Sequence, residues 1–120
     1  MNSHIISQNE IPLIKNLFDL DKQYYLLSKS FPKKDKYTLG CKCECYVIEV
    51  LELSIEASNT MDRNEKKVLL KRINVKFDAL KFFIRLAKEL NVLDNKKYIL
   101  LQKQMQDIGK MIGGWQKSLN

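Results

Sequence analysis

Apolar residues recur along most of the chain at alternating steps of three and four, the beat of helices that each bury one face, and no stretch of useful length alternates with period two. The pattern predicts an all-α domain. A first helix over about 11–31 has Pro12 in its opening turn and an apolar seam of Leu13, Leu17, Leu20, Tyr24, Leu27 and Phe31, and Pro32 stops it. A second, over 38–58, is capped by Thr38 and turns Leu39, Cys43, Tyr46, Val47, Val50, Leu51, Ser54 and Ala57 inward, with Glu49, Glu52 and Glu56 outward. The third, over 62–90, starts on a capping-box-like pair, Asp62 and Glu65, and ends before Asn91, which suits a left-handed C-terminal conformation. Asp94 caps the fourth, over 94–117, whose seam is Tyr98, Leu101, Met105, Ile108, Ile112 and Trp115 before the Gly113-Gly114 pair loosens the backbone. Connections of a few residues make antiparallel hairpins, so the expected packing is an up-down-up-down four-helix bundle over 10–119 behind a flexible segment, 1–9.

The third helix carries more than one bundle needs. On a helical wheel Arg63, Lys67, Lys71, Lys81, Arg85 and Lys88 share an arc of about 100°. Most of the remaining circumference is apolar, far wider than a single buried stripe. A second apolar face of Val75, Ala79, Phe82 and Leu86 is therefore expected to pack against another subunit, making a homo-oligomer. On the fourth helix Lys96, Lys103, Lys110 and Lys117 recur every seven residues opposite the apolar seam.

Charge sharpens this picture. The 120 residues have a formal net charge of +7, and the excess is confined to one half: residues 1–60 hold 7 basic and 8 acidic groups, residues 61–120 hold 14 and 6. Such a balance suits an anionic partner. Either lysine row alone reads equally well as a solvated face, but two rows offer up to ten cations for phosphates. No zinc finger, RNA-recognition strand motif or helix-turn-helix pattern is present, so phosphate contact rather than base readout is expected, and Tyr24, Tyr25, Phe82 and Trp115 read as packing residues before stacking platforms.

The chemistry of enzymes is thin here. One histidine, His4, no Gly-rich phosphate loop, no serine nucleophile motif and no Glu-x-x-His pair leave no acid–base, covalent or di-iron constellation. Cys41, Cys43 and Cys45 are too close together and odd in number for a disulfide framework. At most Cys41 and Cys45 share a helical face, so small reduced side chains are expected rather than a metal centre, and no cofactor is implied. No apolar run approaches the length of a membrane span and the start, Met1 to Ile6, lacks the pattern of a secretory signal, so a cytoplasmic protein is expected.

Three stretches carry a resemblance: FPKKDKYTLG at 31–40, the run from Asp78 through RLAKEL at 85–90, and IGKMIGGWQKSL at 108–119. Across about 10–119 the sequence resembles the accessory variability determinants, the Avd-like four-helix-bundle proteins of bacterial diversity-generating retroelements, most specifically in its Gly109-to-Trp115 ending. The resemblance implies a basic pentameric barrel of bundles, not itself a polymerase, that binds the retroelement's reverse transcriptase and template RNA, or DNA, during mutagenic copying. It matches the family's basic positions to Lys81, Arg85 and Lys110, and marks Pro32, Tyr37, Gly109, Gly113, Gly114 and Trp115 as structural. Lysine for arginine at two of these keeps phosphate attraction but gives up a planar two-point contact. The cysteine run departs from the family pattern. Avd-like proteins also occur outside retroelements, so a protein–protein scaffold with no nucleic-acid role is the competing reading.

Overall fold

A computed structural model describes residues 10–120; the N-terminal segment 1–9 lies outside the described residues. These are all helical, with no strand among them. Four long helices, α1 (Glu10–Ser28), α2 (Cys41–Ser58), α3 (Arg63–Glu89) and α4 (Asn95–Ser118), form a rod 48 × 22 × 22 Å. Each packs on its neighbours in sequence, and α4 closes back onto α1, so the four stand in a square with alternating direction.

The core is the sum of four seams. Leu13, Leu17, Leu20 and Tyr24 of α1 meet Cys43, Val47, Val50 and Ala57 of α2, Leu70, Ile73, Phe77, Leu80 and Ile84 of α3, and Leu101, Met105, Ile108, Ile112 and Trp115 of α4, all at most 4% exposed. Ser54, the buried polar side chain, donates its hydroxyl to the Val50 carbonyl at 2.7 Å and so leaves nothing unpaired. At the α2–α3 seam Tyr46 stacks on Phe83 with centroids 5.5 Å apart, and Lys76 of α3 pairs with Glu49 of α2 at 3.3 Å.

The helix ends follow local chemistry. Asp62 accepts from the Glu65 N–H and Asp94 from the Lys97 N–H, each at 2.9 Å, filling orphan donors of α3 and α4. Past α3, Asn91 takes φ 60°, with Val92 N–H donating to the Ala87 carbonyl and Asn91 N–H to that of Lys88, the paired bonds of a Schellman turn.

Three expected features differ. The first helix ends at Ser28 rather than near Phe31, because Phe31 turns into the core at 5% exposure and stands edge-on to the Tyr24 ring, with centroids 6.1 Å apart. The second does not start at Thr38. Helical backbone resumes directly after Pro32 as a single turn, Lys33–Asp35, passes through a wide π-turn, Lys36–Gly40, and becomes regular at Cys41. The Thr38 hydroxyl donates to the Lys34 carbonyl one turn back at 2.8 Å, as a side chain inside a helix does. The Pro32 carbonyl receives Asp35 and Lys36 N–H, and the buried Tyr24 hydroxyl donates to the Gly40 carbonyl at 2.8 Å. Nor does the Gly113-Gly114 pair loosen α4, which runs unbroken to Ser118.

The glycines therefore divide. A Cβ on Gly40 would stand 3.0 Å from the Asp35 carbonyl oxygen and 3.2 Å from the Phe31 ring, whereas one on Gly113 would meet open space. Gly40→Ala should lower stability by about 1–3 kcal/mol through overpacking. Gly113→Ala should raise it by about 1 kcal/mol through helix propensity. Thermal unfolding followed by circular dichroism reads both, and equal shifts of one sign would refute the distinction.

Candidate nucleic-acid and assembly surfaces

Helix α3 presents three faces in order around its axis. Its core face is covered. Its opposite face is not: Val75 is 67% exposed, Phe82 71% and Leu86 41%, with Ala79 half-buried among them. Val68 and Leu90, each 59% exposed, lengthen this strip at both ends and were not among the interface residues read from the sequence. A seven-residue step from Val68 to Val75 to Phe82 keeps the strip straight along the rod. Large side chains this exposed on one helix leave apolar surface in water that a contact with another copy would remove.

Between these faces, on the flank turned toward α4, lie the six cations. Arg63, Lys71, Lys81 and Arg85 are exposed and Lys67 and Lys88 half-buried. Contacts across the seam fix the orientation: Lys88 stands 5.3 Å over the Tyr98 ring of α4, and Arg63 donates to the Asn120 carbonyl at 3.4 Å. Two of the six have carboxylate neighbours on their own helix, Lys81 with Asp78 at 3.1 Å and Arg85 with Glu89 at 2.9 Å. Both pairs are solvent-exposed one-turn contacts worth about 0.3–0.5 kcal/mol, small beside the attraction of a polyanion. The α4 row lies across a groove. Lys110 and Lys81 line one cleft of about 450 Å³ together with Tyr98, Gln102 and Gln106. Farther along, Lys67 and Lys71 line another of about 500 Å³ with Gln116 and Leu119. Lys96, Lys103 and Lys117 stand exposed on the outer side of α4 and have no ion pair among the described residues.

The residues expected to be structural fall into different surroundings. Trp115 is 1% exposed, and Lys66 lies 5.9 Å above its ring. A Cβ on Gly109 would stand at ordinary contact distance, 3.6 Å, from the Phe77 ring, and Gly114 is half-buried, while Gly113 is exposed and a Cβ there would meet open space, so no neighbouring helix within the chain needs Gly113. Pro32 is exposed but supplies the carbonyl that starts the next helix. Tyr37 is 74% exposed and contributes nothing to the core.

The fold and these surfaces define a class: a basic antiparallel four-helix bundle with a cation row on the α3 flank toward α4, a second on the outer side of α4, and an uncovered apolar strip on α3. No described helix is long and apolar enough to cross a membrane, and among the described residues no group of three or more His, Cys, Asp or Glu is placed to hold a metal ion. The sequence matches the profile of the bAvd-like family over residues 11–119, nearly its whole length, and the chain belongs to that family. No curated protein matches it significantly.

The cysteines sort by burial. Cys41 and Cys45 are exposed; Cys43 is 0% exposed, and burial, partly offset by the neighbouring Tyr24 hydroxyl, pushes its thiol up to about 11. Only a thiolate reacts quickly, so Cys43 is doubly protected near neutral pH. In Ellman titration at pH 8 two of the three thiols should react within the folded protein and the third only after denaturant is added. Three thiols titrating at one rate in the native state would contradict this burial.

Proposed function

We propose that the protein is a non-enzymatic accessory of a diversity-generating retroelement, a cytoplasmic homo-oligomer that holds reverse transcriptase and template RNA during mutagenic complementary-DNA synthesis. The observation that carries this reading is the adjacency, on α3, of a row of cations and an uncovered apolar strip. Family membership supports it. The strip through Val75, Ala79, Phe82 and Leu86 joins copies into the pentameric barrel that the Avd-like resemblance implies. Oligomerisation repeats each cation row once per subunit, which multiplies a contact that is weak in one chain. The rows Arg63, Lys67, Lys71, Lys81, Arg85, Lys88 and Lys96, Lys103, Lys110, Lys117 then meet phosphates; eight of the ten are lysines, whose ammoniums act as point charges rather than planar two-point forks.

The pairs Lys81–Asp78 and Arg85–Glu89 favour a second reading, in which part of the positive field is already neutralised and the rest docks an acidic protein. In that case RNA would not compete for the partner. Replacing Lys81, Arg85 and Lys88 by glutamate separates the readings. RNA affinity should fall by at least about tenfold, and the slope of log affinity against log salt, near −0.9 per phosphate contacted, should become shallower. A still-assembled variant with unchanged RNA and polymerase binding would sink the proposal. Phe82→Asp with Val75→Asp should release monomers in light scattering at micromolar concentration while leaving helicity intact, since neither residue is in the core. An unchanged particle mass would remove the assembly role of this strip.

A further inference from the structure

A third group of cations lies outside both rows. Of the seven lysines in the first half of the chain, five, Lys29, Lys33, Lys34, Lys36 and Lys42, fall between positions 29 and 42, where Asp35 is the sole acid. The turn from α1 to α2 gathers them at one end of the rod, the end that also carries the start of α4, where the Lys97 ammonium donates to the Ser30 hydroxyl at 2.6 Å.

This end is built, not slack. The π-turn is held from beneath by the Tyr24 hydroxyl on the Gly40 carbonyl, from within by the Thr38 hydroxyl on Lys34, and by a fit around Gly40 too tight for a Cβ. Wide turns of this kind interrupt the regular helix ladder and recur at functional sites. On this base Tyr37 is held outward at 74% exposure, its side chain making no hydrogen bond or ring contact among the described residues. A large aromatic ring presented to water on a firm support has a free face for another flat group. Beside it opens a cleft of about 300 Å³ whose wall includes Tyr25, Lys29, Lys36, Tyr37, Cys41 and Glu44. The Lys29 ammonium stands 5.1 Å over the Tyr25 ring, so one cation is fixed at the mouth. Exposed Lys36 flanks Tyr37 in the sequence.

A free aromatic face with ammonium groups around it is the pairing that single-stranded nucleic acids recognise: the base stacks, at about 1–3 kcal/mol, and the phosphates on either side meet the cations. An acidic peptide would use the lysines but has no need of the ring. Glu44 repels phosphate from its side of the cleft and offers a carboxylate acceptor to a base N–H, such as the N3–H of uracil or thymine. We propose that this end of the bundle binds a nucleotide of a single-stranded nucleic acid, its base against Tyr37 and its phosphates at Lys29 and Lys36. The site shares with the proposed function the premise of a nucleic-acid partner, but none of its residues belongs to the α3 or α4 rows.

Cys41 in the cleft wall reports occupancy directly, and exposed Cys45, which does not line the cleft, serves as the internal control. The full-length protein is alkylated with iodoacetamide, with and without a short oligouridylate, and each cysteine is followed by peptide mass. Saturating oligouridylate should slow Cys41 at least about fivefold and Cys45 less than about twofold. Oligothymidylate in place of oligouridylate tells RNA from DNA, equal protection assigning any single strand and protection by uridylate alone assigning RNA. The protection should disappear in Tyr37→Ala combined with Lys36→Ala, both exposed positions, and persist in Lys81→Glu combined with Arg85→Glu. Persistence separates this site from the helix rows: loss of RNA affinity in the row variant bears on the proposed function, while Cys41 protection bears on this one. No protection in the native protein, protection that survives Tyr37→Ala with Lys36→Ala, or equal protection by polyglutamate would overturn the assignment.

Discussion

The structure depends on how α3 is shared between two demands. Its residues Leu70, Ile73, Phe77, Leu80 and Ile84 fill the bundle from end to end, and burying that seam ties α3 to both α2 and α4. A helix held by one face over its whole length cannot rotate to hide another. The apolar side chains left on the far side, Val68, Val75 and Phe82, therefore stay in water in the single chain. At about 25 cal/mol per Å² of apolar surface removed from water, a strip of this kind is a standing drive toward association.

The same geometry decides where the charge goes. A helix with apolar residues on two opposite sides has only its flanks for cations, and the flank toward α4 holds six of them. There the long aliphatic stems of lysine pack over neighbouring rings, Lys88 over Tyr98 and Lys81 over Phe77, while the ammonium ends remain wet. The α4 row continues the positive surface across the groove at Lys110. The apolar strip and the cation row thus occupy different sides of one helix and share no residue.

The end turn obeys a separate constraint. Pro32 has no N–H to donate, but its carbonyl receives the Asp35 and Lys36 N–H groups, so helical backbone starts directly after it. The π-turn at Lys36–Gly40 follows, and it fits because Gly40 has no side chain to strike Asp35 and Phe31. Tyr24, from the core of α1, ties the turn down. One buried hydroxyl and one missing methyl hold out the lysines and the tyrosine that surround them.

Much of this was legible in the order of residues alone. The period of the seams, the capping aspartates Asp62 and Asp94, the left-handed Asn91 and the bundle itself follow from local rules, because hydrogen bonds and buried stripes recur at fixed spacing along a helix. So did the two faces of α3, which need nothing but a wheel. Less legible were features that depend on what comes near in space. Leu93 lies in the connection between α3 and α4 and belongs to no helical seam, yet it is 1% exposed. Thr38 does not cap α2 but lies inside a π-turn, which carries no periodic signature, and the Gly113-Gly114 pair does not loosen α4, whose helix runs through it. The lysines of 29–42 leave no mark on the charge balance of the first half, because Glu44, Glu49, Glu52 and Glu56 of α2 follow them closely in sequence and offset them. Periodicity reports which way a side chain points from its own axis, and only the folded assembly of helices reports what stands opposite.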